Sequence, residues 1–365
     1  MEAPAPNLSP QFPLPITLMK LIPSLFLAAT LGANAESHPA IISSGWINPD
    51  APYPECHAST IVEAAPGKLL ASWFGGTKER NPDVCIYVAQ HDGSHWLPAV
   101  KVADGVQADG SPRLPTWNPV LFAPKGAPLQ LFYKVGPHPS TWWGMVITSG
   151  DGGKTWDNPQ RLPDGILGPI KNKPVTLPDG SWLSPTSTEG NKDGWLVHFE
   201  RSHDQGKTWE KTTPVKKGPS FDAIQPSILL HKDGQLQALC RSKQGVVTQT
   251  WSKDGGKTWT PLTGTILPNP NSGTDAVTLT DGRQLIVYNH SGHRPEEAKG
   301  NRWPLDVAIS NDGLDWRRVI TLETEPCKAG YAYPAVIQAA DGKIHITYTH
   351  NRQKIRHVVL DPAKL

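Results

Sequence analysis

The 365-residue chain has no excess of either charge: 35 Lys and Arg stand against 33 Asp and Glu, a formal net charge of +2. Net charge therefore implies no polyanionic partner, and without a basic stripe nucleic acid is not expected as one. The body of the chain has no long apolar pattern of period 3.6, which argues against a helical core. Past the N-terminal region it has no apolar run long enough to span a membrane. A glycine-rich phosphate loop and a Cys-x-x-Cys pair are both missing, so no cofactor is implied. Four cysteines (Cys56, Cys85, Cys240, Cys327) follow no zinc spacing. His290 and His293 are a loop pair, too little to specify a metal site.

The one long apolar run lies near the N-terminus. "MKLIPSLFLAATLGANA" at residues 19–35 has a basic start, an apolar stretch and a small-x-small ending at Ala33-Asn34-Ala35. That is the layout of a secretory signal peptide. The expectation is a domain division of 1–35 (extension and leader) and 36–365 (mature domain), with the product secreted or periplasmic after cleavage near Ala35. An oxidising compartment permits disulfides.

What the chain has in quantity is Gly (33), Pro (37) and Trp (14), a mixture suited to short strands and tight turns. One octapeptide is written three times: SGDGGKTW at 149–156, SHDQGKTW at 202–209 and SKDGGKTW at 252–259. Degenerate copies stand at HDGSHW (91–96) and SNDGLDW (310–316). Their tryptophans, Trp96, Trp156, Trp209, Trp259 and Trp316, recur every 50 to 60 residues, a blade-per-repeat period. Upstream of each box, and once more near the C-terminus, two apolar strands flank a turn that usually ends in Gly, as in LPDGSW and AADGKI. In each box Asp is expected to accept backbone N–H bonds and Trp to pack between blades. The sixth repeat is one strand short, and "PAIISSGWI" at 39–47 can supply it. The expected fold is all-β, a six-bladed β-propeller with Asp-box turns, closed by an N-terminal strand that leaves no open edge. First and last blades then touch, which favours a Cys56–Cys327 pair.

Strand direction alternates within a blade, so the starts of the six inner strands share one face and the boxes lie on the other. Reading the residue just before each inner apolar strand yields His57, Asn118, Lys173, Gln225, Asp275 and Tyr333. Six hydrogen-bonding groups around an axis suit a wet binding site at the pore mouth. Arg241, Arg302, Glu79, Asp83 and Glu189 reach the same face, and Lys134, Trp142 and Trp143 offer a surface for a sugar. Lys171 and Lys173 add positive potential near the axis.

The three boxes and the six-fold layout resemble the sialidase superfamily over essentially the whole mature chain. Asp-boxes are structural, so the resemblance speaks to fold more strongly than to function. It implies a Tyr nucleophile with a Glu beside it, an Asp acid/base and three arginines on the substrate carboxylate. A neutral Tyr suits this role because the substrate's own carboxylate repels an anionic nucleophile. Tyr333, in "YAYPAVIQAADG", is similar to that nucleophile, and Arg241 and Arg302 look like the second and third arginines. Two Arg forks on one carboxylate make charge-assisted bidentate bonds. The chain departs from the pattern at three places. Glu55-Cys56-His57-Ala58 has no arginine where the family has its first, Gln225 replaces the Glu, and the acid/base loop offers both Glu79 and Asp83. His57 or Asp275 then become candidates for the missing base.

These readings leave three functions. The first is an exported exo-glycosidase acting on a terminal acidic sugar, sialic acid or a related ulosonic acid. Tyr333, Glu79, Asp83, Asp275 and His57 are its catalytic candidates; Arg241, Arg302, Lys173, Asn118 and Gln225 would bind substrate. The second is a glycosidase or lyase for a uronate-containing polysaccharide. The third is a glycan-binding propeller without catalysis.

Overall fold

The computed structural model describes residues 1–2, 38–190, 193–218, 221–293 and 296–365. The expected leader at 19–35 lies outside the described residues. His38–Leu365 forms one compact unit and Met1–Ser37 a separate one.

Six four-stranded antiparallel sheets make up the unit from His38. After a first strand β1 (Ile41–Trp46), blade 1 holds β2 (Glu55–Ala65), β3 (Lys68–Gly76), β4 (Cys85–His91) and β5 (Val100–Ala103). Blade 2 holds β6 (Thr116–Phe122), β7 (Leu129–Val135), β8 (Trp143–Ser149) and β9 (Gln160–Arg161). Blade 3 runs through β10 (Val175–Thr176), β11 (Trp182–Gly190), β12 (Gly194–Ser202) and β13 (Glu210–Lys211). Blade 4 follows with β14 (Ala223–Leu230), β15 (Leu236–Ser242), β16 (Val246–Ser252) and β17 (Thr263–Pro268). Blade 5 has β18 (Asp275–Thr278), β19 (Gln284–Asn289), β20 (Leu305–Ser310) and β21 (Arg317–Glu323). Blade 6 has β22 (Tyr331–Gln338), β23 (Ile344–His350) and β24 (Lys354–Leu360), and β1 completes it as the outer strand. The six-bladed propeller and its closure by the N-terminal strand are thus as the repeats imply.

Local chemistry explains the blades. The inner hairpins turn on glycines such as Gly180 and Gly342, at φ +81° and +82°, where a side chain would be strained. Inner strands are sandwiched on both faces, so β6 and β7 are buried along their whole length and read as apolar runs rather than alternations. The core is a set of wedges between sheets, and all but the one between blades 5 and 6 are sealed by a box tryptophan leaning on the preceding blade. Trp259 of blade 4 stacks on Phe199 of blade 3 at 3.9 Å, and Trp209 of blade 3 meets Phe132 of blade 2 edge-on at 6.1 Å. Trp96 of blade 1 meets His357 of blade 6, which carries the pattern across the closure. In the third box Asp254 accepts from Lys257 N and from Thr258 N and Oγ1, while Gly256 N donates to Ser252 Oγ at 2.8 Å.

The expected Cys56–Cys327 disulfide is not there; all four cysteines are free thiols. Cys56 points into the blade 6–blade 1 seam with Ile47, Tyr53 and Trp73, whereas Cys327 packs on the wedge between blades 5 and 6. The two blades do touch, but the two side chains belong to different wedges. Among the described residues no helix is long and apolar enough to cross a membrane.

Candidate active site

On the face opposite the boxes, four inner strands begin with the same distortion. β2, β6, β14 and β22 skip two residues in their register with the next strand: Ala58-Ser59, Asn118-Pro119, Gln225-Pro226 and Tyr333-Pro334. The first residue of each pair has positive φ: +58° at Ala58, +32° at Asn118, +58° at Gln225 and +53° at Tyr333. Such bulges re-aim a side chain, and non-glycine residues held there store strain. They correct the sequence-derived ring. The blade 1 equivalent of Tyr333 is Ala58, and His57 stands one residue earlier. Ser59 in place of Pro hides the bulge from the sequence.

Two residues of that ring, Gln225 and His57, nevertheless gather around Tyr333, together with Arg241 and Arg302. Its Oη accepts from Arg241 Nη1 at 2.9 Å and from Gln225 Nε2 at 3.1 Å. The His57 ring lies 4.2 Å from the Tyr333 ring and bonds Thr349 Oγ1 through Nδ1 at 3.1 Å; its Nε2 is buried without a partner. Burial, with Arg352, Arg302, Lys171 and Arg241 nearby, holds the imidazole well below its ordinary pKa, so it is neutral. Arg302 stands over the Tyr333 ring at 5.7 Å. Burial and the neighbouring Arg241 pull its guanidinium down to about 10. Arg241 is fixed by Asn271 Oδ1 at 2.7 Å and lies over the Trp195 ring.

The remaining candidates separate. Lys173 and Asp275 are tied to each other at 2.9 Å. Asp275 also accepts from Ser227 Oγ, Ala276 N and Val336 N, and it is 2 % exposed. Its carboxylate is fully engaged in clamping blades 3 to 6, and nothing in this arrangement presents it, or the Lys173 charge, to a ligand. Beneath Tyr333, buried Lys171 donates to Asn172 Oδ1, Thr274 O and Pro334 O, closing the axis with a polar plug. Burial pulls its ammonium down to about 7. Asn118 is buried in its bulge. Lys134 is buried on Pro169 O, and Trp142 packs edge-on against Trp117, so neither offers a sugar platform; Trp143 is half-buried beneath Arg161.

Glu79 and Asp83 part as well. Asp83 caps its own loop, accepting from Thr77 N and Oγ1, which lowers its carboxyl pKa. Glu79 reaches across to Arg352 in a 2.5 Å ion pair. Arg352 is the site residue that sequence reading missed. It sits in the tight β23–β24 turn at φ +61°, and its carbonyl accepts Cys56 N at 2.7 Å. A blade 6 arginine thus stands beside the segment that lacks the expected first arginine. A non-glycine residue in that turn was the available signal. Glu189, at the tip of the β11–β12 hairpin, has its carboxyl pushed above the usual range by burial, against the opposing pull of Arg241 and Lys243. Among the described residues, Glu79 is the only carboxylate paired with any of the three arginines.

Residues 67–346 match the family described as the BNR repeat-like domain. The chain belongs to that family. It is a BNR-repeat protein whose propeller resembles those of sialidases of known structure at low sequence identity. No curated protein matches it. A crystal structure of a protein of unknown function from Dyadobacter fermentans superposes with a TM-score of 0.71 at 19 % identity, covering 88 % of this chain and 98 % of that one. A Hadza microbial sialidase superposes at 0.70 and 17 % identity over 85 % of this chain and 66 % of its own. The intramolecular trans-sialidase from Ruminococcus gnavus does so at 0.67 and 13 %, over 90 % and 99 %. At these identities the likeness shows the propeller fold that this BNR-repeat protein shares with them.

Proposed function

We propose that this protein is an exported glycoside hydrolase that removes a terminal acidic sugar, sialic acid or a related ulosonic acid, from glycans. The observation that carries this reading is the unbalanced charge beside Tyr333. Arg241 bonds only neutral groups (Asn271, Gln225 and Tyr333), and Arg302 has no carboxylate partner among the described residues. Partly desolvated guanidinium groups without a counter-charge are costly to hold, and a substrate carboxylate would supply that charge bidentately. In this reading Tyr333 Oη attacks the anomeric carbon and passes its proton to the neutral His57 imidazole beside it, while Arg241 and Gln225 donate to the phenol oxygen. The substrate carboxylate displaces Glu79 from Arg352; Glu79 in its protonated form then donates to the leaving oxygen as the glycosidic C–O bond breaks, and as a carboxylate it takes a proton from the water that hydrolyses the glycosyl-tyrosine, while His57 returns its proton to Tyr333 Oη. The leader at 19–35 supports export.

A second reading rests on His57. A neutral imidazole with a buried, unpartnered Nε2 against Tyr333 is suited to proton abstraction, and Gln225 has no basic role to fill. This favours a glycosidase or lyase for a uronate glycan. The deciding experiment is sugar release from a panel of terminal acidic glycosides and uronate oligosaccharides by wild type, Tyr333→Phe and His57→Ala. Release of a ulosonic acid that disappears in Tyr333→Phe supports the hydrolase. Activity confined to uronate chains, surviving Tyr333→Phe and lost in His57→Ala, overturns it. Binding of these glycans with no turnover of any leaves the non-catalytic propeller.

A further inference from the structure

Between blades 5, 6 and 1 a cleft of about 850 Å3 opens beside the arginines, lined among others by Arg302, Arg352, Lys299, Lys328, Glu55 and Glu297. Two exposed lysines stand on its rim, each on a segment bolted to the arginines. Lys328 belongs to a tight turn in which Gly330 N donates to Cys327 O at 3.1 Å. Gly330 lies so close to Arg302 that a Cβ would fall 2.5 Å from the Arg302 Cβ, and its φ of +70° favours glycine. The far side of the turn is fixed by Ala329 N to Asn351 Oδ1 at 3.0 Å and Asn351 N to Gly330 O at 2.9 Å, next to Arg352. Lys299 is placed in the same way. Ala298 O accepts from Asn271 Nδ2 at 2.8 Å, the same Asn271 whose Oδ1 holds Arg241, and Gly300 N donates to Pro270 O at 3.1 Å.

Both lysines are therefore set at fixed positions relative to the arginines rather than scattered over a mobile surface. Cations outnumber acids around the cleft, and one of the acids, Glu55, also takes the Glu79 N–H at 3.4 Å. A cleft with low-dielectric walls and one sign of charge in excess concentrates the opposite charge. We propose that this cleft is a subsite for a second anionic group, a carboxylate or sulfate on the sugar next to the one held by Arg241, Arg302 and Arg352, so that the natural ligand is a glycan carrying at least two negative charges. The proposal rests on the arginine reading above, and it deepens that reading by naming the ligand class.

The test is calorimetric titration of the full chain carrying Tyr333→Phe, which removes the proposed nucleophile. The probes are sialyllactose with one charge, a sulfated sialyllactose of the same length, an α-2,8-linked sialic acid dimer, and matched mono- and digalacturonate. In low salt the second charge tightens binding about tenfold, and the gain shrinks to within about twofold in Lys299→Gln/Lys328→Gln and in high salt. A gain from sulfate alone or from carboxylate alone identifies the group and supports the subsite. Singly charged sugars binding as tightly as doubly charged ones, or a gain that survives the double substitution, overturns it while leaving the arginine reading intact. Failure of every anionic sugar to bind overturns both.

Discussion

Glu79 and Asp83 are four residues apart on one loop, yet the structure gives them different work. Asp83 holds the loop through Thr77; Glu79 sits on Arg352 in the cleft. If Glu79 manages the leaving-group proton, Glu79→Gln lowers kcat by roughly a hundredfold or more, the usual span for general acid catalysis. Asp83→Asn keeps kcat within about threefold of wild type. Steady-state kinetics on an aryl glycoside of the active sugar checks both, and an activated leaving group should rescue Glu79→Gln in part. The reverse ranking of the two variants would end this assignment, and loss confined to Glu189→Gln would move the proton to that half-buried carboxyl. The loop was legible in the sequence, but the choice within it was not. It depends on Arg352, which lies 273 positions along the chain from Glu79 and meets it only because the ring closes. The ring position of His57 was misread for a local reason. Pro119, Pro226 and Pro334 mark three bulges, and Ser59 leaves the fourth unmarked, so the alignment slipped by one residue there. Asp275 and Lys173 looked like a ligand-facing acid and base because each precedes an apolar strand. Only the packed axis shows that they neutralise each other.

Whole elements were easier to read than the site, because strands, turns and boxes are written in short contiguous strings. The seam between blade 6 and blade 1 is different: it joins β4 to β23 and β24 and carries three histidines. Trp96 Nε1 donates to His357 Nδ1 at 3.2 Å, so His357 must carry its proton on Nε2, which then donates to His345 Nδ1 at 3.0 Å. That relay exists only with His357 neutral. Burial lowers the pKa of His91, His345 and His357, the last to about 3. Nearby acids Asp92, Asp341 and Glu63 oppose the shift, while His95, Lys68 and Lys343 add to it. A folded-state pKa below the unfolded value means that the unfolded chain binds more protons. The contribution is therefore complete above about pH 6.5 and is lost as pH falls toward the folded value. One histidine kept neutral to pH 5 costs about 2 kcal/mol there. Thermal melts should show Tm falling by several degrees between pH 7 and 5, with a shallower slope in His357→Gln. Equal slopes in the two proteins would show that the acid sensitivity lies elsewhere.

At the scale of the molecule, the propeller depends on β1. Every wedge of core lies between two sheets, so an open ring leaves two sheet faces half-covered, and β24 becomes an edge strand with unpaired backbone groups. β1 prevents this by pairing along β24 from Ile41 opposite Leu360 to Trp46 opposite Arg356. Side chains lock the join. Lys354 and Arg356 lie over the Trp46 ring at 5.6 and 4.5 Å, and Asn48 Oδ1 accepts Ile355 N at 2.7 Å. The last β23–β24 turn, which carries Arg352, is held against Cys56 across the same join. Closure and the third arginine of the site are thus one structural event. A chain beginning at Ile47 lacks the strand but keeps all of the site residues. It should melt well below the chain beginning at Glu36, form larger species on size exclusion as β24 edges pair, and bind acidic sugars more weakly even at temperatures where it remains folded. The same deletion is expected to spare affinity if Arg352 plays no part in binding. An unchanged affinity in a destabilised, open ring would therefore remove Arg352 from the site, and an unchanged Tm and elution volume would remove β1 from the closure.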